Sequence, residues 1–127
     1  MTEKPNKRII FFLTGIIVCL LIVVIYQFVE IRLLRLRVAS AREQIEKFEE
    51  LSNQVVGIDA QDTVKILRIV AYFYPGGIGY KEGSDLDMIV ENEREQAINK
   101  IISHLKNITG ENLGDDPEAW IEKYRQE

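Results

Sequence analysis

The chain has 127 residues, of which 28% are charged, with a formal net charge of −4 and a single cysteine. One cysteine excludes an intramolecular disulfide framework. Residues 1–54 carry eight basic and six acidic side chains, whereas residues 55–127 carry eight and fourteen. Because nucleic-acid phosphates attract basic surfaces, the acidic distal part predicts that nucleic acid is not a partner.

A run of 21 residues without a charge, residues 9–29, follows a short polar tail of residues 1–8. As a helix this run spans about 30 Å, the thickness of a bilayer core, and satisfies its own backbone hydrogen bonds. We therefore expect a single transmembrane helix. Cys19 lies inside the run without a small residue before it, so an uncleaved anchor is favoured over a cleaved signal peptide or a lipoprotein signal. Cys19 is then an apolar, lipid-facing residue.

Basic residues flank this run on both sides, and we expect them at the membrane interface, where their side chains reach lipid phosphates. They are Lys7, Arg8, Arg32, Arg35 and Arg37. Membrane lipid is therefore an expected contact. The positive charges alone slightly favour a cytoplasmic distal domain, but long domains cross membranes largely regardless of charge. We expect the tail in the cytoplasm and the distal domain outside.

The helix is expected to continue into a stalk, residues 30–56, because neither proline nor glycine occurs between Val29 and Gly57. Apolar residues recur there in alternating steps of three and four, the heptad pattern of a coiled coil. The seam consists of Ile31, Leu34, Val38, Ala41, Ile45 and Phe48. It packs either against a second copy of the chain or against the chain's own C-terminal helices. In a parallel dimer Arg37 of one copy would lie opposite Arg42 of the other copy. The repulsion between these two charges disfavours self-association, but both arrangements stay open.

Residues 57–127 are expected to form a small acidic helical domain. Asp59 or Asp62 can cap a first helix that stops before Pro75, although the β-branched and aromatic content of residues 64–74 leaves a strand open. A glycine-rich loop, residues 75–84, follows.

Two further helices are expected after this loop. Ser84 and Asp87 form a pair similar to a capping box at the start of a long helix, and Gly110 is a natural stop. A short helix then begins at Asp116, with proline at its first position. The expected fold is all-α: a single transmembrane helix that continues into a helical stalk, followed by a small antiparallel helical domain.

Trp120 and Tyr124 share one face of the short terminal helix. A helix of about ten residues is marginal alone and needs tertiary contacts. These two residues are therefore expected either to close the core or to serve as an exposed anchor for a partner, because tryptophan is enriched at binding hot spots.

Residue types that carry chemistry do not converge in this sequence. His104 has no acidic residue one turn away, and a metal site needs several ligands. The loop lacks the Gly-Lys-Ser/Thr ending of a phosphate loop, and the acids at positions 85, 87 and 91 do not have the spacing of a calcium loop. We expect no cofactor, no metal and no enzymatic activity.

The C-terminal stretch TGENLGDDPEAWIEKY, residues 109–124, resembles a segment of uncharacterised small bacterial proteins that are membrane-anchored or built from HEAT-like helical repeats. The shared residues are Thr109, Gly110, Gly114, Asp116, Pro117 and Trp120. The resemblance implies a helical, repeat-like interaction fold in a bacterial protein, with no known activity or cofactor. We expect the protein in the bacterial inner membrane. We expect a single-pass, non-catalytic protein–protein interaction subunit, a scaffold or accessory subunit of a membrane complex. The alternative is a signal-relay or self-associating coiled-coil protein.

Overall fold

The computed structural model describes residues 6–73 and 80–125, and these residues form helices and no strand. The predicted all-α fold is confirmed. The elements are α1 (Lys7–Gln54), α2 (Ala60–Arg68), a π-helical turn (Ile69–Phe73), α3 (Asp85–Thr109) and α4 (Pro117–Lys123). The strand left open for residues 64–74 does not occur over the described part of that range, and half of the predicted glycine-rich loop (residues 75–79 of 75–84) lies outside the described residues.

Helix α1 contains both the predicted membrane run and most of the predicted stalk. It ends shortly before Gly57, whose φ of +87° is a backbone conformation that favours glycine. The chain divides into two compact units inside this helix, Met1–Leu36 and Arg37–Glu127. We call the described residues of the second unit the head. The head thus begins well before Gly57, because the last turns of α1 are part of its core.

In the first unit, α1 exposes apolar side chains on all sides. An 18-residue window has a mean hydropathy of 3.2, and none of it is buried within the chain. Phe11 and Phe12, for example, are 84% and 71% exposed. By length and composition this part of α1 is a candidate membrane span.

The core of the head draws on all four α-helices. Fully buried side chains include Phe48 and Val55 in and just after α1, Leu67 in α2, Ile101, Ile102 and Leu105 in α3, and Trp120 and Ile121 in α4. The helical spacing of the three α3 residues puts them on one face, as the sequence pattern predicts. Each helix of the head therefore contributes a single apolar stripe to one shared core.

The helix ends of the head follow local sequence signals. Asp59 caps α2 by accepting a hydrogen bond from the Asp62 amide at 2.8 Å, and Asp116 caps α4 by accepting one from the Glu118 amide at 3.0 Å. Gly110 ends α3 in the left-handed conformation, with φ +71°. These caps were predicted from residue type and spacing.

The π-helical turn after α2 was not predicted. Its wider turn changes the backbone hydrogen bonding, and the Ala71 carbonyl oxygen accepts a hydrogen bond from Arg94 Nη1 at 2.9 Å. Arg94 Nη2 also pairs with Glu91 at 2.6 Å. Arg94 on α3 is therefore a tertiary cap for the π turn.

We predict that Phe48→Ala destabilises the head by about 3–5 kcal/mol, because it leaves a cavity in the core. Leu34→Ala is the matched control: Leu34 belongs to the same heptad seam but is 55% exposed, whereas Phe48 is 1% exposed. Urea unfolding of the full chain in detergent, followed by tryptophan fluorescence, measures both. Equal losses would contradict the division of the seam between core and surface.

Candidate interaction surfaces

The five basic residues expected at the membrane interface are all exposed. They are Lys7, Arg8, Arg32, Arg35 and Arg37, and none of them forms an ion pair with another described residue. The Arg32 guanidinium carbon lies 5.1 Å from the centre of the Phe28 ring, which positions it next to the apolar run. All five charges are therefore open to oxyanions such as lipid phosphates.

The heptad seam divides into an exposed and a packed half. Ile31, Leu34 and Val38 are 51%, 55% and 47% exposed. Ala41 and Phe48 are buried, and Ile45 packs against the core of the head. The second half thus lies on the chain's own helices, whereas the first half keeps an apolar surface.

A buried polar contact holds α1 to the segment before α3. The Tyr80 hydroxyl donates a hydrogen bond to Gln44 Oε1 at 3.1 Å, and both side chains are buried. Burial raises the pKa of Tyr80 above its ordinary value, and the charges of Asp87 and Glu91 raise that pKa further, while the Gln44 hydrogen bond acts in the opposite direction. The native head therefore favours the neutral phenol.

Asp87 is a buried carboxylate beside this contact, 7% exposed. Its amide donates to Ser84 Oγ at 3.4 Å, as in a capping box, but its Oδ2 accepts from the Gly83 amide at 2.7 Å rather than from the Ser84 amide. In a capping box the carboxylate accepts from the amide of the capping serine, whereas here Asp87 accepts from the amide of Gly83, one residue earlier. Asp87 fixes the backbone at the start of α3.

Trp120 lies in the core and not on the surface. Its side chain is fully buried, and its Nε1 donates a hydrogen bond to the Gly114 carbonyl oxygen at 3.0 Å. Tyr124 is half-buried, next to Lys123, whose ammonium lies 5.9 Å from the ring centre. Of the two candidate anchor residues, only Tyr124 keeps surface available to a partner.

Metal-ligating residues do not converge in the part of the chain that the structure describes: it contains no group of three or more histidine, cysteine, aspartate or glutamate side chains that could hold an ion. His104 is half-buried on α3, and its Nε2 has no hydrogen-bond partner among these residues.

A cleft of about 260 Å³ lies between α2 and the end of α4. Three of its lining residues are cationic, Lys65, Arg68 and Arg125, and its apolar lining includes the buried side chains Val64 and Ile121. The spacing of Lys65 and Arg68 on one face of α2 was visible in the sequence. Arg125 joins them only because α4 packs against α2, so the cleft could not be predicted from sequence.

The three cations of the cleft differ in how far neighbouring acids neutralise them. Lys65 pairs with Asp62 at 2.6 Å, and this hydrogen bond and charge raise the pKa of Lys65, whereas the Arg68 charge acts in the opposite direction. Arg125 lies 3.9 Å from Glu122. Arg68 has no ion-pair partner within the described ranges.

No family model, curated protein or solved structure matches this chain.

The raised pKa of Tyr80 predicts a pH-dependent difference between the wild type and Tyr80→Phe. A raised native pKa stabilises the head fully below the pKa of the unfolded chain, about 10, and this contribution is lost as pH rises through the native value. At pH 8 we expect Tyr80→Phe to be less stable by about 1 kcal/mol, because Gln44 loses its donor. Urea unfolding at pH 8 and at pH 10.5 should show this difference shrinking. A difference that is independent of pH would contradict the raised pKa.

The burial of Trp120 predicts a blue-shifted emission that acrylamide quenches poorly. Trp120 is the chain's single tryptophan, so the spectrum of the full chain in detergent reports on this residue alone. A red-shifted, freely quenched spectrum would contradict its place in the core.

Proposed function

We propose that this chain is a single-pass membrane-anchored, non-catalytic subunit that acts through protein–protein contact, as a scaffold or accessory subunit of a membrane complex. The observation that carries the proposal is α1, because one helix contains both a candidate membrane span and core residues of the head. A helix with an exposed apolar surface of this length is stable where lipid covers it.

The interface arginines support the membrane part of the proposal. Arg32, Arg35 and Arg37 follow the apolar run within two turns, alternating with exposed leucines. Such a segment suits the headgroup layer, where arginine stems cover apolar surface and the guanidinium groups bind phosphate. The proposed membrane is a bacterial inner membrane, the bacterial origin resting on the resemblance of residues 109–124, and the proposed orientation puts the head outside the cytoplasm because long domains cross membranes largely regardless of charge.

The roles of the polar side chains in the head support the non-catalytic part. Asp59, Asp87 and Asp116 hold backbone amides at helix starts, and Arg94 holds the π turn. These groups stabilise a small helical platform, which suits recognition of another protein.

Chemical crosslinking in intact membranes, followed by purification of the full chain, tests this function. We expect a stoichiometric second protein in the crosslinked product. Crosslinks to the chain itself alone would favour the self-associating alternative, and no crosslinked product would contradict both.

The exposed half of the seam favours that alternative specifically, because Ile31, Leu34 and Val38 offer an apolar stripe. A parallel dimer predicts disulfide crosslinking of Leu34→Cys, at a d position, in a chain in which Cys19 is replaced by serine. Leu36→Cys is the matched control, since Leu36 is also exposed but lies on the opposite face of the heptad. Crosslinking of both variants, or of neither, would reject the seam as a dimer interface.

Orientation is tested by labelling intact cells with a membrane-impermeant maleimide. In the same serine background, we expect Glu95→Cys in the head to react and Asn6→Cys in the tail to react only after the cells are lysed. The reverse pattern would place the head in the cytoplasm.

A further inference from the structure

The cleft between α2 and α4 contrasts in charge with the part of the chain that surrounds it. Residues 55–127 carry fourteen acidic and eight basic side chains. Three of those eight, Lys65, Arg68 and Arg125, line this one cleft. A partner segment that is acidic is repelled by most of the head and attracted at this place, which makes the contact specific as well as favourable.

The lining of the cleft defines the chemistry that it can bind. Arginine presents planar N–H donors that match a carboxylate, and Arg68 has no ion-pair partner among the residues that the structure describes. Val64 and Ile121 are buried apolar residues of the lining, and the half-buried ring of Tyr124 adds to it. A ligand that fits both parts carries carboxylates next to an apolar side chain.

The size of the cleft favours a short segment. About 260 Å³ is slightly below the usual volume of a pocket for a drug-sized ligand, and the cleft is an open groove on the surface. It can hold one apolar side chain of a peptide while flanking carboxylates reach the cations at its rim. Cations around an acidic peptide also reduce the repulsion between its neighbouring carboxylates.

We propose that this cleft binds an acidic peptide segment of a protein partner, with an apolar side chain on Val64 and Ile121 and carboxylates on Arg68 and Arg125. This inference rests on the proposed function, because it names the chemistry of the partner that the head recognises. Lys65 contributes less than the arginines, since Asp62 already neutralises it at 2.6 Å.

A random heptapeptide library displayed on phage tests the proposal without knowledge of the partner. The target is the full chain in lipid nanodiscs, and empty nanodiscs remove lipid binders beforehand. We expect the selected peptides to be enriched in aspartate and glutamate beside one apolar residue. A parallel selection on Arg68→Glu should lose this enrichment.

Arg42→Glu is the matched control, because it makes the same change of charge at an exposed arginine on α1, away from the cleft. It should keep the enrichment. The best peptide should bind Arg68→Glu about tenfold or more weakly than the wild type, and Arg42→Glu nearly as well as the wild type. Arg68→Gln provides a second, milder variant, and unchanged Trp120 emission shows that each variant is folded.

Three results would overturn the proposal: no acidic enrichment, enrichment that survives Arg68→Glu, or equal weakening by Arg68→Glu and Arg42→Glu. A chain that crosslinks to a stoichiometric partner but selects no acidic peptide would keep the proposed function and lose the cleft. A chain that selects acidic peptides but crosslinks to no partner would keep the cleft as a peptide-binding site and contradict the proposed function.

Discussion

Burial of Phe48 in α1 and of Val55 just after it makes the last turns of this helix part of the core of the head. These side chains are 1% exposed, and they belong to the same buried cluster as core residues of α2, α3 and α4. The later helices are short or open to solvent on one face, and short helices gain most of their stability from tertiary packing. The head is therefore not an independent domain that follows a stalk, because the stalk's last turns are one wall of its core.

Polar side chains on α1 form hydrogen bonds with other segments of the head. The hydrogen bond from Tyr80 to Gln44 joins α1 to the segment before α3, and Lys100 Nζ reaches Asn53 Oδ1 on α1 at 2.5 Å. Trp120 closes the other side, where its indole N–H is satisfied by Gly114. The bond between Tyr80 and Gln44 is buried, and a buried polar group with a matched partner favours one arrangement over others, since an unmatched group would be costly. The bond between Lys100 and Asn53 is exposed and therefore contributes less.

Local signals in the sequence predicted much of this fold. Asp59, Ser84, Gly110 and Asp116 act at helix ends through contacts within a few residues, so residue type and spacing suffice to find them. The π turn was not predicted, and the hydrogen bond to its Ala71 carbonyl oxygen comes from Arg94, which lies 23 residues further along the chain and leaves no local signal. The heptad seam was identified from the sequence, but the spacing of its apolar residues does not show which of them pack against other helices of the same chain.

The candidate sites follow the same rule. The arginines expected at the membrane interface can be proposed from the sequence because they lie beside an apolar run. The cleft was missed because its cations come from two helices, and only the packing of α4 on α2 brings Arg125 to Lys65 and Arg68. Recognition surfaces assembled from separate elements leave no pattern along the chain.

Urea unfolding of two fragments, residues 37–127 and residues 57–127, followed through tryptophan fluorescence, tests most directly whether the last turns of α1 are part of the core. We expect a cooperative transition for the longer fragment and none for the shorter one, because the shorter fragment lacks the α1 side chains of the core. Cooperative unfolding of both fragments at the same urea concentration would contradict this expectation.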